Sequence, residues 1–126
     1  MLLVVTFGVI PAVVVVRVPY NPSLERFWHQ RRELFSRYDR GVWLDAEGWY
    51  SVTPEAVAVE TSKVLAGSRR NTLFVDAFVG VGGNAIQQAL LDPCGLVIAI
   101  DLDADKVNMA RHNVRLQTPN TLQSRP

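Results

Sequence analysis

The sequence predicts an α/β fold, the opening half of a doubly wound parallel sheet. An apolar run, "TLFVDAF", leads into a glycine-rich loop, "VGVGGN", and then into a helical segment, "AIQQALL". A second apolar run, "LVIAIDLD", is followed by the amphipathic segment "ADKVNMARHNVRLQ". The order strand, loop, helix, strand, helix is typical of parallel sheets, because a crossover helix must connect two parallel strands.

Length and composition suit a single globular domain. The chain has 126 residues, of which 48% are apolar and 20% charged, and its formal net charge is +1. This near-neutral charge does not by itself predict binding to nucleic acid. One cysteine excludes an internal disulfide, and the two histidines show no zinc spacing, so we predict no metal site and a reduced intracellular compartment. Five arginines crowd into fifteen positions, most simply as a solvated helix face: Arg26, Arg31, Arg32, Arg37 and Arg40.

Residues 1–19 form an apolar N-terminal segment, and the sequence leaves open whether this segment belongs to the native protein. The run "MLLVVTFGVIPAVVVV" is shorter than the roughly 20 residues that a membrane-spanning helix needs, and Pro11 interrupts it. It also lacks the basic start and the small-residue cleavage pattern of a signal peptide. A strand, or sequence foreign to the fold, is therefore favoured over a membrane anchor.

Residues 20–70 are predicted to form a helical extension ahead of the sheet. The stretch "NPSLERFWHQRRELFSRYD" predicts one helix from near Ser23, because its large apolar residues recur at helical spacing. The stretch "GVWLDAEGWYSV" contains two glycines and predicts a loop or a short hairpin. The stretch "TPEAVAVETSKVLAG" predicts a second helix, capped by Thr53, with Pro54 at its first position and Gly67 at its end.

Residues 71–117 contain the two strands and their helices. Both apolar runs are predicted to be buried strands, and Val107, Ala110 and Val114 are expected to face inward from the last helix. The polar tail, 118–126, contains two prolines and is predicted to be disordered.

The glycine loop predicts a cofactor site. Glycines let the backbone approach a ligand closely, and the following helix offers its N-terminal amides and the positive end of its dipole. Gly80, Gly82 and Ala85 fit the pattern G-x-G-x-x-G/A, and Asp101 at the end of the second strand suits ribose hydroxyls. The pattern indicates an adenosine-containing cofactor without saying which one.

Asp76, just before the loop, favours S-adenosylmethionine over a nicotinamide dinucleotide. A carboxylate at this position would repel the pyrophosphate of a dinucleotide. S-adenosylmethionine has no phosphate and carries an ammonium group that a carboxylate can bind. The alternative that Asp76 caps the loop stays open.

Three stretches together resemble the trimethylguanosine synthase family, from about Leu24 to Val114: "FWHQRRELFSRYDRGVWLDAEGWYSVTPEAVA", "VDAFVGVGGNAIQQAL" and "VIAIDLDADKVNMARHNV". The motifs "LFSRYD", "LD-x-EGW" and "SVTPE" are specific to this family of cap guanosine-N2 methyltransferases. Its members convert 7-methylguanosine to 2,2,7-trimethylguanosine on small nuclear and nucleolar RNA. The resemblance implies a Rossmann-like class I S-adenosylmethionine methyltransferase fold, of which the chain carries the N-terminal half of the sheet.

The resemblance also implies roles for individual residues. Asp101 would hold the ribose, and Phe35 and Thr53 would close over the cofactor, although periodicity alone makes Phe35 a core residue. Arg26 would contact the cap triphosphate, and Trp49 would stack on 7-methylguanine unless it packs in the core. The cofactor loop itself would comprise Asp76, Phe78, Gly80, Gly82, Gly83 and Asn84.

In this family a Ser-Pro-Pro-Trp segment grips the guanine, and the printed sequence ends before such a segment. We therefore expect an incomplete chain that transfers no methyl group by itself, and we assign no catalytic residue. Two alternatives remain: a fragment of an NAD-dependent dehydrogenase and a non-catalytic remnant. The resemblance implies a monomer that acts on 7-methylguanosine-capped small nuclear or nucleolar RNA. It would reside in the nucleus, including the nucleolus or Cajal bodies, and partly in the cytoplasm, without a membrane partner.

Overall fold

The computed structural model describes residues 2–3, 16–17, 22–91 and 94–117. Near the N-terminus, strands β1 (Leu2–Leu3) and β2 (Val16–Arg17) pair in antiparallel orientation. The predictions for the rest of the apolar N-terminal segment and for the tail, 118–126, fall outside the described residues.

The first predicted helix is divided into two short helices. A 3-10 turn, Pro22–Leu24, leads into α1 (Glu25–His29), and α2 (Arg31–Leu34) follows. The division lies at Gln30, whose backbone N–H donates to the Phe27 carbonyl at 3.0 Å, the bond of a 3-10 turn. The prediction of one continuous helix was therefore wrong, although its start was close.

The segment after this pair forms a loop and one helical turn, and no hairpin. A second 3-10 turn, Tyr38–Arg40, ends at Gly41, and the chain then runs irregularly until α3 (Gly48–Ser51). The Asp45 Oδ1 atom accepts a hydrogen bond from the Gly48 N–H at 2.6 Å. A Cβ on Gly48 would lie 2.8 Å from the same oxygen, so a larger residue at this turn would displace the Asp45 carboxylate.

The helix α4 (Glu55–Ala66) begins where the sequence predicts, but with a different cap. Pro54 occupies the N-cap, and its carbonyl accepts the hydrogen bond from the Ala58 N–H at 3.0 Å. Thr53 therefore lies outside the helix, and the prediction that it caps the helix was wrong. Gly67 ends the helix with a φ of +57°, as predicted.

The second half of the chain has the predicted order of elements: β3 (Thr72–Asp76), α5 (Gly83–Leu90), β4 (Cys94–Ala99) and α6 (Ala104–Gln117). Strands β3 and β4 are parallel, which confirms the α/β prediction for this half.

The parallel sheet of β3 and β4 is buried on one face. Phe74 is 5% exposed, and its cross-strand partner Val97 packs against the buried side chains of Val79, Ala85 and Ala110. Side chains alternate between the two faces of a strand. The prediction of fully buried strands was therefore wrong for the second face, where four side chains are 42% to 59% exposed: Leu73, Val75, Leu96 and Ile98.

The main core joins the helical extension to the glycine loop. The rings of Trp28, Tyr38 and Trp49 contact one another with centroids 5.5 to 6.0 Å apart, and burial raises the pKa of Tyr38 to about 12. From α6, Ala110 is buried and Val114 half-buried, on the predicted inward side. The core therefore draws on both sides of the predicted boundary at residue 70: Leu34, Phe35, Tyr38, Val42, Leu44, Trp49, Val81 and Ile86.

Candidate functional site

A cleft of about 370 Å³ lies beside the glycine loop, a size common among small-molecule sites. Three parts of the chain form its wall: the turn around α3, the loop after β3, and the segment from the end of β4 into α6. The lining residues are Glu47, Ser51, Val52, Thr53, Phe78, Val79, Gly80, Val81, Gly83, Asn84, Asp101 and Lys106.

A larger depression, of about 560 Å³, lies on the outer face of α4. It is shallow and almost wholly apolar, with walls that include Val57, Val64 and Leu65. No glycine loop or strand end contributes to it, so the smaller cleft is the better candidate for chemistry.

The three glycines of the loop meet different requirements. Gly80 has a φ of +51°, and no described atom lies within 4 Å of the position where its Cβ would be. Gly82 has a φ of +98°, and its Cβ would lie 3.3 Å from the Cα atom of Ala110. A Cβ on Gly83 would lie 2.6 Å from Cγ2 of Val52. Gly80 thus permits the left-handed backbone conformation. Gly82 permits that conformation and the close approach of α6, and Gly83 permits the close approach of the segment before α4.

Asp101 joins the end of β4 to the glycine loop. Its Oδ1 accepts a hydrogen bond from the Asp103 N–H at 3.0 Å, and its Oδ2 accepts one from the Gly80 N–H at 2.8 Å. These two backbone donors, that of Asp103 first, hold the pKa of Asp101 below its ordinary value. The ionised carboxylate is therefore oriented in advance, and its remaining lone pairs can accept hydrogen bonds from a ligand.

The lowered pKa predicts a pH dependence of stability. The contribution of Asp101 is present in full above the ordinary pKa of aspartate, and it is lost as the pH falls through the lower pKa of the folded state. We expect the stability difference between the wild type and Asp101→Asn to shrink across that acidic range. Urea unfolding at a series of pH values measures it. Asp39→Asn, which removes an exposed partner of Arg32, controls for the loss of one charge. A difference that stays constant with pH would contradict this role.

Asp76 adopts the loop-capping role that the sequence left open. Its Oδ1 accepts a hydrogen bond from the Phe78 N–H at 3.2 Å. The cleft lining includes Phe78, which is 90% exposed, but neither Asp76 nor Gly82. A contact between Asp76 and a cofactor stays a prediction.

Three other predicted site residues lie apart from the cleft lining. Phe35 is 1% exposed and Trp49 is 4% exposed, and both belong to the main core. The guanidinium carbon of Arg26 lies 4.5 Å from the centroid of the Phe27 ring, on the exposed side of α1. For Phe35 and Trp49, this burial favours the packing alternative.

The structure adds residues to the cleft that the sequence did not indicate, above all Glu47 and Lys106. The Nζ atom of Lys106 donates to Oε2 of Glu47, and this hydrogen bond raises the pKa of Lys106. The two residues are 59 positions apart, so no local pattern relates them. Ser51 and Val52 also line the cleft, from the end of α3.

Another residue that the sequence did not indicate, Asn113, binds Val81 of the cleft wall. It is fully buried in α6. Its Oδ1 accepts a hydrogen bond from the Trp43 N–H at 2.8 Å, and its Nδ2 donates to the carbonyls of Trp43 and Val81, both at 2.9 Å. One side chain thus connects α6, the loop before α3 and the glycine loop.

Within the described part of the chain, no group of three or more His, Cys, Asp or Glu side chains is arranged to hold a metal ion. No helix in the same part is long and apolar enough to cross a membrane.

Comparison with known proteins relates this site to one family. Residues 71–121 match the RNA cap guanine-N2 methyltransferase family. The trimethylguanosine synthase of Schizosaccharomyces pombe is 46% identical over 98 residues, which cover 78% of this chain and 40% of that protein. The trimethylguanosine synthase of Saccharomyces cerevisiae is 32% identical over 97 residues, which cover 75% of this chain and 30% of that protein. The chain thus spans less than half the length of these curated relatives. Over the segment that carries the glycine loop, the parallel strands and α6, it belongs to the RNA cap guanine-N2 methyltransferase family.

Proposed function

We propose that this chain is the cofactor-binding part of a cap guanosine-N2 methyltransferase that uses S-adenosylmethionine. Its substrate would be the 7-methylguanosine cap of small nuclear and nucleolar RNA, and its place of action the nucleus. The observation that carries the proposal is the pairing of the glycine loop with an oriented Asp101 beside one cleft. This pairing lies within the segment that matches the family.

The residues of the cleft suit S-adenosylmethionine at both of its ends. Asp101, with lone pairs to spare, can accept hydrogen bonds from the two ribose hydroxyls. The N-terminus of α5, at Gly83 and Asn84, and the Lys106 ammonium suit the methionine carboxylate. Thr53 adds a hydroxyl to the cleft wall. When bound, the cofactor supplies an electrophilic methyl group, and these residues bind and orient it.

Catalysis of this reaction would depend mainly on the positioning of the two reactants. Asp101, the start of α5 and Lys106 would hold S-adenosylmethionine, which would supply an electrophilic methyl group to the guanine N2, and N2 would release one proton. A neutral exocyclic amine is a poor nucleophile, so alignment of the two reactants contributes much of the rate. The described residues contribute the cofactor side of that alignment, and we assign no catalytic residue among them.

A nicotinamide dinucleotide is the second candidate. Because Asp76 does not line the cleft, its charge offers less repulsion to a pyrophosphate than the sequence suggested. The α5 N-terminus and Lys106 would suit phosphates as well as a carboxylate. The family match therefore distinguishes the two cofactors better than the geometry of the cleft does.

Binding of S-adenosylhomocysteine and of NAD, compared by titration calorimetry, tests the proposal. We expect S-adenosylhomocysteine to bind more tightly than NAD. Asp101→Ala should weaken that binding by about tenfold or more, because it removes charged hydrogen bonds to the ribose. Asp103→Ala is the matched control, since Asp103 lies two residues away and outside the cleft lining. Tighter binding of NAD, or equal affinity of the Asp101→Ala variant and the wild type, would contradict the proposal.

Methyl transfer can be tested in a chimera. In it, residues 71–117 of this chain replace the corresponding segment of the Schizosaccharomyces pombe relative. With labelled S-adenosylmethionine and a 7-methylguanosine cap dinucleotide, we expect transfer, and we expect Asp101→Ala in the chimera to reduce it. A chimera that is folded by circular dichroism but inactive would count against the assignment.

A further inference from the structure

Residues 41–47 follow α6 in the opposite direction, and we call this contact the α6 seam. At one end, Nε2 of His112 lies 2.9 Å from the Gly41 carbonyl oxygen. At the same end, Asn113 binds both backbone groups of Trp43. At the other end, Glu47 accepts a hydrogen bond from Lys106, and both of these residues line the cleft. The α6 seam is therefore continuous with the candidate cofactor site.

An exposed aromatic stack lies on the α6 seam. The Trp43 and His112 rings are 3.8 Å apart and nearly parallel, with an interplanar angle of 12°. Trp43 remains 39% exposed, whereas Trp49 is buried and Trp28 is half-buried. Backbone groups of Trp43, and not its ring, make the hydrogen bonds to Asn113. The indole is therefore not required for the backbone connection between the loop and α6.

Two exposed arginines lie next to residues of this contact in the sequence. Arg40 and Arg111 are exposed, and each directly precedes a residue of the contact, Gly41 and His112 respectively. The neighbouring acid Asp39 is paired with Arg32, which offsets its negative charge. Proteins bind single-stranded nucleic acid with exposed aromatic rings and nearby cations, because bases stack on the rings while phosphates meet the cations.

We propose that Trp43, stacked on His112, binds the single-stranded RNA nucleotides that follow the cap, and that the nearby arginines Arg40 and Arg111 contact the phosphates. The proposal rests on the cap methyltransferase function proposed above and extends it to the body of the RNA. His112 lies six positions beyond Lys106 on α6, about 9 Å along the helix axis. An RNA strand whose cap reaches the cofactor at the mouth of the cleft would thus meet the stack close to its first nucleotides.

Binding of an uncapped, labelled ten-nucleotide oligouridylate, followed by fluorescence anisotropy without cofactor, tests this surface in the full chain. Arg40→Gln/Arg111→Gln should weaken binding about tenfold and reduce the slope of log affinity against log salt by about 1.4. Arg69→Gln/Arg70→Gln, which removes the same charge from an exposed pair after α4, should leave binding nearly unchanged. Equal effects of the two double variants would overturn the proposal, as would displacement of the RNA by polyglutamate at equal charge concentration.

Trp43→Ala tests the stacking itself. We expect it to weaken RNA binding about tenfold and to abolish the quenching of tryptophan fluorescence that RNA causes in the wild type. Unchanged affinity and quenching in this variant would overturn the role of the stack. If Trp43→Ala proves unfolded by circular dichroism, the arginine variants decide, because their side chains are exposed. In the wild type, S-adenosylhomocysteine binding without any RNA binding would contradict this inference alone, whereas RNA binding without S-adenosylhomocysteine binding would contradict the proposed function alone.

Discussion

Replacing Asn113 by leucine is expected to lower the free energy of unfolding by about 3 kcal/mol or more. Three backbone groups would lose their partner: the N–H and carbonyl of Trp43 and the carbonyl of Val81. Each polar group left unsatisfied in a buried site costs about 1–3 kcal/mol, and Asn113 is fully buried. Urea unfolding, followed by circular dichroism, measures the loss.

Asn108→Leu serves as the control for this change, because Asn108 lies on the exposed side of the same helix. Its effect should stay within about 0.5 kcal/mol, as is usual for surface positions. Equal losses in the two variants would mean that the three hydrogen bonds of Asn113 contribute nothing specific. Asn113→Asp refines the test. It keeps the acceptor for the Trp43 N–H but replaces the two donated bonds, so it too should be destabilising at neutral pH.

Gly82→Ala is expected to destabilise the protein by about 2–4 kcal/mol. The residue has a φ of +98°, which strains any side chain other than that of glycine. The added Cβ would also lie 3.3 Å from both the Cα and the Cβ of Ala110, and backbone atoms in a packed helix cannot move aside cheaply. Thermal or urea unfolding measures the change.

Gly80→Ala is the matched comparison, because it shares the positive φ, here +51°, without the crowding. Its stability loss should be limited to the conformational part, about 1–2 kcal/mol. Gly80 lines the cleft, whereas Gly82 does not. We therefore expect Gly80→Ala to weaken S-adenosylhomocysteine binding more than it lowers stability, and Gly82→Ala to do the opposite. If the same variant causes the larger loss in both stability and S-adenosylhomocysteine binding, this division of roles is wrong.

Local patterns predicted the parts of the fold that are local in origin. The apolar runs and the helical spacing after them indicated β3, α5, β4 and α6 in order, and the parallel pairing followed from the connection between the strands. Gly67 marked the end of α4 because a positive φ at that position favours glycine. The break at Gln30 had no such marker, since neither glycine nor proline stands there. Thr53 matched a capping pattern, but the backbone entered the helix one residue later, at Pro54.

The sequence by itself determined the order of the elements, the glycine loop and the presence of Asp101 at the end of the second strand. These follow from residue types and short spacings, because backbone conformation depends largely on near neighbours along the chain. Only the tertiary structure decided which side chains meet at the cleft and which are enclosed. Trp49 entered the core, and Lys106 met Glu47 from 59 positions away. Asn113 met Trp43 from 70 positions away. Contacts of this kind depend on how whole elements pack. Hydrophobic periodicity indicates which side of a helix is buried, but it does not identify the polar group that a buried side chain will meet.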